Sequence, residues 1–378
     1  MKRVLILGGG FGGLAAAHKL RQSLPAEDEI ILVDRRTHFM VGFRKTWALI
    51  GESSLEAGQR PLAALEPHGI QVIHAPITAL DPTARAAEVG GRRLEADAVV
   101  VALGAELAPE KVPGFQAHAL NIYDPEAIPR AAEALRNFRG GRVLLGIFGV
   151  PYKCPPAPYE IALLVNGFFR RQKVKAEMEV FSPQPMSLPI IGQAGCDVIE
   201  SRLAENGITF FPNHKAAAIE AGQVVFASER RPFDLLLGVP PHKCPAVVTQ
   251  SGLTEGSDWV KVNSRTLETK FAGVYAVGDT VEISMANGKP LPKAGVFADS
   301  MGQVVAERIA AQFSGQEPTA TFQGEGGCFL EVGEGEAMLV RGRFLAEPAP
   351  EVMLTEPSAA YLAEKRSFEA ERLQAWFS

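Results

Sequence analysis

Gly8, Gly10 and Gly13 stand in a G-x-G-x-x-G spacing, with Gly9, Phe11 and Gly12 between them. That spacing lets the chain turn tightly, lets backbone approach a pyrophosphate, and lets the next helix pack closely on the preceding strand. The phosphates then lie at the positive end of that helix. Asp34 follows 26 residues after Gly8 and closes a second apolar run, with Arg35 next to it. A carboxylate there can accept from a ribose hydroxyl. Two later strands end in ways that suit the same ligand. Val99–Leu103, through Ala102, stops at Gly104, where backbone can pass close to a cofactor. Val274–Val277 stops at Gly278 and Asp279, where a carboxylate can hold the hydroxyls of a polyol chain. The chemistry indicated is dinucleotide binding.

Four cysteines, at 154, 196, 244 and 328, include no C-x-x-C pair, so no zinc site or thioredoxin motif is expected. Cys154 falls at a strand-to-helix turn, where a thiol is expected to have a lowered pKa. The turn reads Gly149-Val150-Pro151-Tyr152-Lys153-Cys154-Pro155-Pro156-Ala157-Pro158-Tyr159-Glu160. Prolines lack the N–H donors of a phosphate cradle and block close backbone approach. NAD(P)H is therefore not expected as reductant. Cys244 lies in a second proline loop, Val239 to Pro245, together with His242. His242 reads as a surface histidine, with a proton shuttle as the alternative. Cys196 reads as structural.

Strands are expected at 4–7, 29–33, 98–103, 143–148, 178–181 and 274–277, and helices at 14–23, 159–171, 295–312 and 358–377. Alternating strands and helices argue an α/β fold with parallel, doubly wound sheets. Two βαβ starts argue two Rossmann-like dinucleotide-binding domains. The expected division is 1–106 with 268–315 as a discontinuous FAD-binding domain, 107–267 as a second NAD-like domain with a degenerate nucleotide site, and 316–378 as a C-terminal region. The length of 378 residues, 47% hydrophobic and 21% charged, allows large cores. A net charge of −5 gives no reason to expect nucleic acid. Met1-Lys2-Arg3 runs directly into the first strand without a secretory signal pattern, so a cytoplasmic location is expected.

The glycine turn, Asp34, the strand ending at Gly104 and the Gly278-Asp279 pair together resemble the flavoproteins with two dinucleotide domains. This group includes disulfide reductases, type II NADH dehydrogenases and sulfide:quinone oxidoreductases. The resemblance implies non-covalently bound FAD, since 37–51 lacks a cysteine for attachment. It also implies that the helix from Gly295 and Val296 points its N-terminus at the flavin pyrimidine. Lys293 adds charge there, a solvated loop lysine being the alternative. The segment from Tyr152 to Glu160 resembles the active-site segment of sulfide:quinone oxidoreductases and of the flavocytochrome c sulfide dehydrogenase flavoprotein. Those families pair this cysteine with one near the C-terminus, which implies a redox pair of Cys154 and Cys328, directly bonded or sulfur-bridged. Hydrosulfide would attack the bridge and leave a persulfide and a thiolate, with Cys328 nearer the flavin.

The implied partners are sulfide or a small thiol as donor and a quinone or cytochrome as acceptor. Cytoplasmic members of the family lie peripherally on the inner face of the cell membrane through C-terminal helices. Here the tail carries Tyr361, Leu362, Phe368, Leu373, Trp376 and Phe377, but Lys365, Arg366, Glu369 and Arg372 fall in the same half-turn sector. Peripheral membrane contact and a helix packed on the protein are both open. Two further alternatives for the chain are a type II NADH dehydrogenase and a redox-inactive FAD-binding interaction protein.

Overall fold

The structure is a computed structural model and describes residues 1–378. Val4–Leu7, Ile30–Val33 and Val99–Val101 are apolar on both sides of the strand, and every one of these residues is buried. Strands of that kind belong inside parallel sheets covered on both faces. In chain order, the first elements are β1 (Arg3–Leu7), α1 (Phe11–Ser23), β2 (Glu29–Asp34), β3 (Gln71–His74) and β4 (Ala98–Val101). Then come β5 (Leu120–Asn121), β6 (Gly141–Ile147), α2 (Ala157–Arg171), β7 (Ala176–Phe181), β8 (Thr209–Phe211) and β9 (Leu235–Val239). The last are β10 (Val274–Ala276), α3 (Gly295–Phe313), β11 (Glu325–Gly333), β12 (Glu336–Arg343), β13 (Glu351–Leu354) and α4 (Ala359–Phe377).

Two five-stranded parallel sheets result. The first runs β10-β4-β1-β2-β3, with Leu7 opposite both Val33 and Val101. The second runs β5-β9-β6-β7-β8. Each has the strand order of a dinucleotide-binding half, so the α/β class with two Rossmann-like sheets holds. Strand β10, from late in the chain, pairs with β4 and completes the first sheet. An antiparallel sheet, β11-β12-β13, follows α3. No helix is long and apolar enough to cross a membrane.

The C-terminal helix explains the mixed character of its sequence. Ser358 caps α4 by accepting from the Ala360 N–H at 3.1 Å. The stripe Leu362, Lys365, Glu369, Leu373 and Trp376 is buried, at the spacing of one helix face. Charged residues of this helix have partners on other elements. Arg44, on the short helix Arg44–Leu49, donates to Glu369 at 2.9 Å. Arg372 pairs with the buried Asp299 of α3 at 2.7 Å. Trp376 and Phe368 lie against Phe11. The face that looks poorly amphipathic in the sequence is thus a docking face with matched charges.

The glycine turn is required by contact. Gly8 has φ +111°, and a Cβ on Gly13 would stand 1.8 Å from the Gly8 carbonyl oxygen. That neighbour is backbone and has no room to retreat. Gly13→Ala should therefore destabilise the chain by about 1–3 kcal/mol. It should also abolish flavin retention, read as a lowered thermal midpoint and loss of the flavin band after gel filtration.

Candidate active site

The dinucleotide end is built by β1, α1 and β2. The Gly9 N–H donates to Asp34 Oδ2 at 2.7 Å, which ties the glycine turn to the end of β2. Arg36 donates to the same carboxylate from its backbone at 2.7 Å and from its guanidinium at 2.9 and 3.1 Å. Arg35, expected at the cofactor, lies 3.5 Å from Glu106 and is well exposed. The residue facing Asp34 is its next neighbour, because Arg36 turns back at the strand end. Burial works against the Asp34 charge, but the hydrogen bonds and charge of Arg36 and the Gly9 amide hold its pKa below the usual carboxylate range.

These residues fit the pyrophosphate and ribose of FAD. A Cβ on Gly10 would meet nothing within 4 Å, so the space over the α1 N-terminus is open where a phosphate must approach. The carbonyl of Ala102 is packed against Gly8 and borders the same turn, and Gly104, two residues on, has φ +67°. Gly12 is pressed against Val277, next to Gly278 and Asp279. Burial raises the Asp279 pKa, against the charges of Lys293 and Lys153. No side chain caps α3, so its N-terminal amides at Gly295 and Val296 face outward from the helix.

Lys293 is not a solvated loop lysine. It is 6% exposed, donates to the Asp279 and Val281 carbonyls at 2.6 and 3.1 Å, and stands 3.5 Å over the Trp259 ring. Burial lowers its pKa to about 8. Lys45 and Lys153 add charge to the same neighbourhood: Lys153 works against the charge of Lys45, Cys154 favours the charge of both, and burial likewise lowers Lys45 to about 8. Lys45 has no signal in its own segment of sequence.

Cys154 sits in the left-handed region at φ +53°, rare for a residue with a side chain. Hydrogen bonds on both sides hold it there. Its N–H donates to the Lys293 carbonyl at 2.7 Å, and its own carbonyl accepts from Ala157 N–H at 3.0 Å and Tyr123 Oη at 3.2 Å. Cys328 lies on β11, whose Gly326 packs on Val296 and Phe297 at the start of α3. Helix α2, which begins just after Cys154, packs directly on β11. Both cysteines are half-buried free thiols. After burial, the charge of Cys154 is the largest influence raising the Cys328 pKa. The expected lowering of the Cys154 pKa does not occur. Burial and the Glu160 charge push it up to about 11, outweighing Lys365, Lys45 and the Ala157 N–H.

The other sequence candidates separate clearly. His242 is buried rather than on the surface; its Nδ1 lies 3.0 Å from the Pro240 carbonyl and its ring meets Tyr123 edge to face. Burial and then Lys153 push its pKa down to about 3, so it is a neutral imidazole near neutral pH. Cys244 lies 3.6 Å from the Thr280 hydroxyl, beside Asp279. Cys196 is fully buried in the second domain, as a structural thiol would be. The two proline loops pack on each other, with Pro241 filling the space beside Gly149 at the second strand-to-helix turn.

Comparison with known proteins places this architecture. Residues 2–138 match the pyridine nucleotide-disulphide oxidoreductase family. The chain is an FAD-dependent oxidoreductase with two parallel Rossmann-like sheets. Among its relatives is the mitochondrial sulfide:quinone oxidoreductase of Mus musculus, 23% identical over 363 residues, covering 91% of this chain and 79% of that protein. The crystal structure of the sulfide:quinone oxidoreductase of Aquifex aeolicus superposes with a TM-score of 0.90 at 23% identity, covering 100% of this chain and 92% of the other. A type II NADH:quinone oxidoreductase of Staphylococcus haemolyticus is also 23% identical over 357 residues, covering 84% of each.

Two outcomes follow from the electrostatics. The Asp34 pKa is depressed on folding, so the stability it adds is present above its unfolded value of ~4 and is lost as pH falls through the lower folded value. Asp34→Asn should flatten the acid limb of a stability–pH profile. Lys293→Met should lower the flavin reduction potential by on the order of 30 mV, the equivalent of about 1.4 kcal/mol of lost stabilisation of the reduced form. Dye-equilibrated anaerobic titration measures this.

Proposed function

We propose that this chain oxidises sulfide, or a related small thiol or persulfide, through Cys154 and Cys328, with electrons passing by way of non-covalently bound FAD to a quinone. The observation that carries the reading is the packing of α2, which begins just after Cys154, on β11, which carries Cys328, with the Cys154 N–H on the Lys293 carbonyl and Gly326 against the start of α3. The sulfide:quinone oxidoreductase relatives support the donor and the acceptor. The proline-packed turn at 149–158 argues against a pyridine nucleotide as donor, because it lacks the amides and the open space a second pyrophosphate needs.

The residues divide the work as follows. In the bridged state, hydrosulfide attacks one sulfur of the Cys154–Cys328 bridge; a persulfide forms on one cysteine and a thiolate leaves on the other. A second small thiol or hydrosulfide takes the outer sulfur, which leaves both cysteines as thiols. Re-forming the bridge releases two electrons and two protons. Bound FAD supplies the two-electron acceptor for that step and the link to the quinone. Lys293 and the uncapped α3 amides favour negative charge at the flavin end of the site. Lys45 and Lys153 attract the anionic hydrosulfide.

The test is an anaerobic titration of the oxidised protein with sulfide and, separately, with NADH, following the flavin band. Sulfide should bleach the wild type and neither Cys154→Ser nor Cys328→Ser, and NADH should bleach none of the three. Unchanged sulfide reduction in both variants, or rapid bleaching by NADH, would sink the reading.

A further inference from the structure

Each redox-pair cysteine is followed closely by a buried glutamate. Glu160 comes six residues after Cys154 on α2, and Glu331 three residues after Cys328 on β11. The two carboxylates meet in the interior around one lysine of the C-terminal helix. Lys365 Nζ lies 2.9 Å from Glu160 Oε2 and 2.8 Å from Glu331 Oε2, with all three side chains no more than 4% exposed. The Glu331 N–H donates to Glu160 Oε2 at 2.8 Å, and Trp47 Nε1 donates to Glu331 Oε2 at 2.9 Å. No second cation lies within 4 Å of either carboxylate. Phe43 and Trp47 lie beside the ammonium and keep water from it.

Two carboxylates brought together in a dry site repel each other unless a cation stands between them. Without Lys365, α2 and β11 would carry that repulsion at the point where they pack, six and three residues from their cysteines. We propose that Lys365 is a positioning residue for the redox pair: by bridging Glu160 to Glu331 it holds α2 against β11 and thereby keeps the Cys154 and Cys328 sulfurs within reach of one another. The inference rests on the proposed function, since it presumes that the two thiols act as a pair. It assigns the C-terminal helix a part in setting the thiol–disulfide equilibrium.

The rest of the α4 interface supplies the control. Arg372 anchors the same helix to Asp299, away from the two glutamates. A general loosening of α4 is therefore separable from loss of the bridge.

The experiment equilibrates reduced holoenzyme, anaerobically and near neutral pH, in graded mixtures of reduced and oxidised glutathione. The two cysteines lose two protons and two electrons to form one bond, and one oxidised glutathione becomes two reduced molecules. Remaining thiols are then alkylated, and the Cys154–Cys328 linked peptide is quantified by mass spectrometry. Lys365→Met should lower the equilibrium constant for the linked form about tenfold or more, a rise in potential of ~30 mV per tenfold. Lys365→Arg should recover part of that loss, and Arg372→Met should match the wild type. If Lys365→Met does not fold, Glu331→Gln reads the same equilibrium, because it keeps the backbone bond to Glu160 while removing one carboxylate; a severalfold fall is expected. Wild-type values in Lys365→Met, or in Glu331→Gln where that variant takes its place, would overturn the inference while leaving the function reading intact. An equal loss in Arg372→Met would do the same. Absence of any linked peptide in the wild type would instead overturn the function reading, and this inference with it.

Discussion

The ammonium of Lys365 between Glu160 and Glu331 is the contact on which the geometry of the candidate site depends. Burial works against the charge of Lys365, and the two carboxylates outweigh it, raising its pKa. Burial and the neighbouring Glu331 raise Glu160, against the pull of Lys365. Such an arrangement adds little net stability compared with an apolar core, yet removing one partner costs about 3–5 kcal/mol because a bare charge is left behind. Its value is therefore in register. Three elements remote in sequence, α2, β11 and α4, meet in one arrangement that satisfies all three charges and the Trp47 N–H.

From that anchor the electrostatics of the thiols follow. Burial and the Glu160 charge push Cys154 up to about 11. A thiol with so high a pKa is a poor leaving group and a stable proton holder near neutral pH. Lys45 and Lys365 oppose that tendency. Lys293, fixed on the Asp279 and Val281 carbonyls and over Trp259, adds its charge next to the uncapped start of α3. Cationic groups thus flank a pair of largely neutral thiols, an arrangement suited to drawing in a small anion and to holding charge on a reduced flavin.

The second domain has kept its sheet and changed its turn. The β6–α2 connection carries prolines where a phosphate cradle would need amides, and Pro241 of the neighbouring loop occupies the room beside Gly149. His242, from that same loop, is sealed in as a neutral ring by burial and by three nearby lysines. What was a nucleotide turn in plan serves here to seat Cys154, through the bond from its N–H to Lys293.

Local chemistry was legible in the residues themselves. Glycines at 8, 10 and 13, a carboxylate at the end of the second strand, and prolines in the second turn each act through their own backbone or charge, and their effects are visible in a few consecutive positions. The parallel sheets followed from apolar runs alternating with helical segments. The burial of His242 and Lys293 and the pKa direction at Cys154 depended on neighbours from other elements. The tail is the clearest case: Lys365, Glu369 and Arg372 read as interruptions of an apolar face until Glu160, Glu331, Arg44 and Asp299 are brought opposite them. A residue's type determines what charge or hydrogen bond it can offer; folding alone decides which partner, distant along the chain, receives it and how much water is left between them.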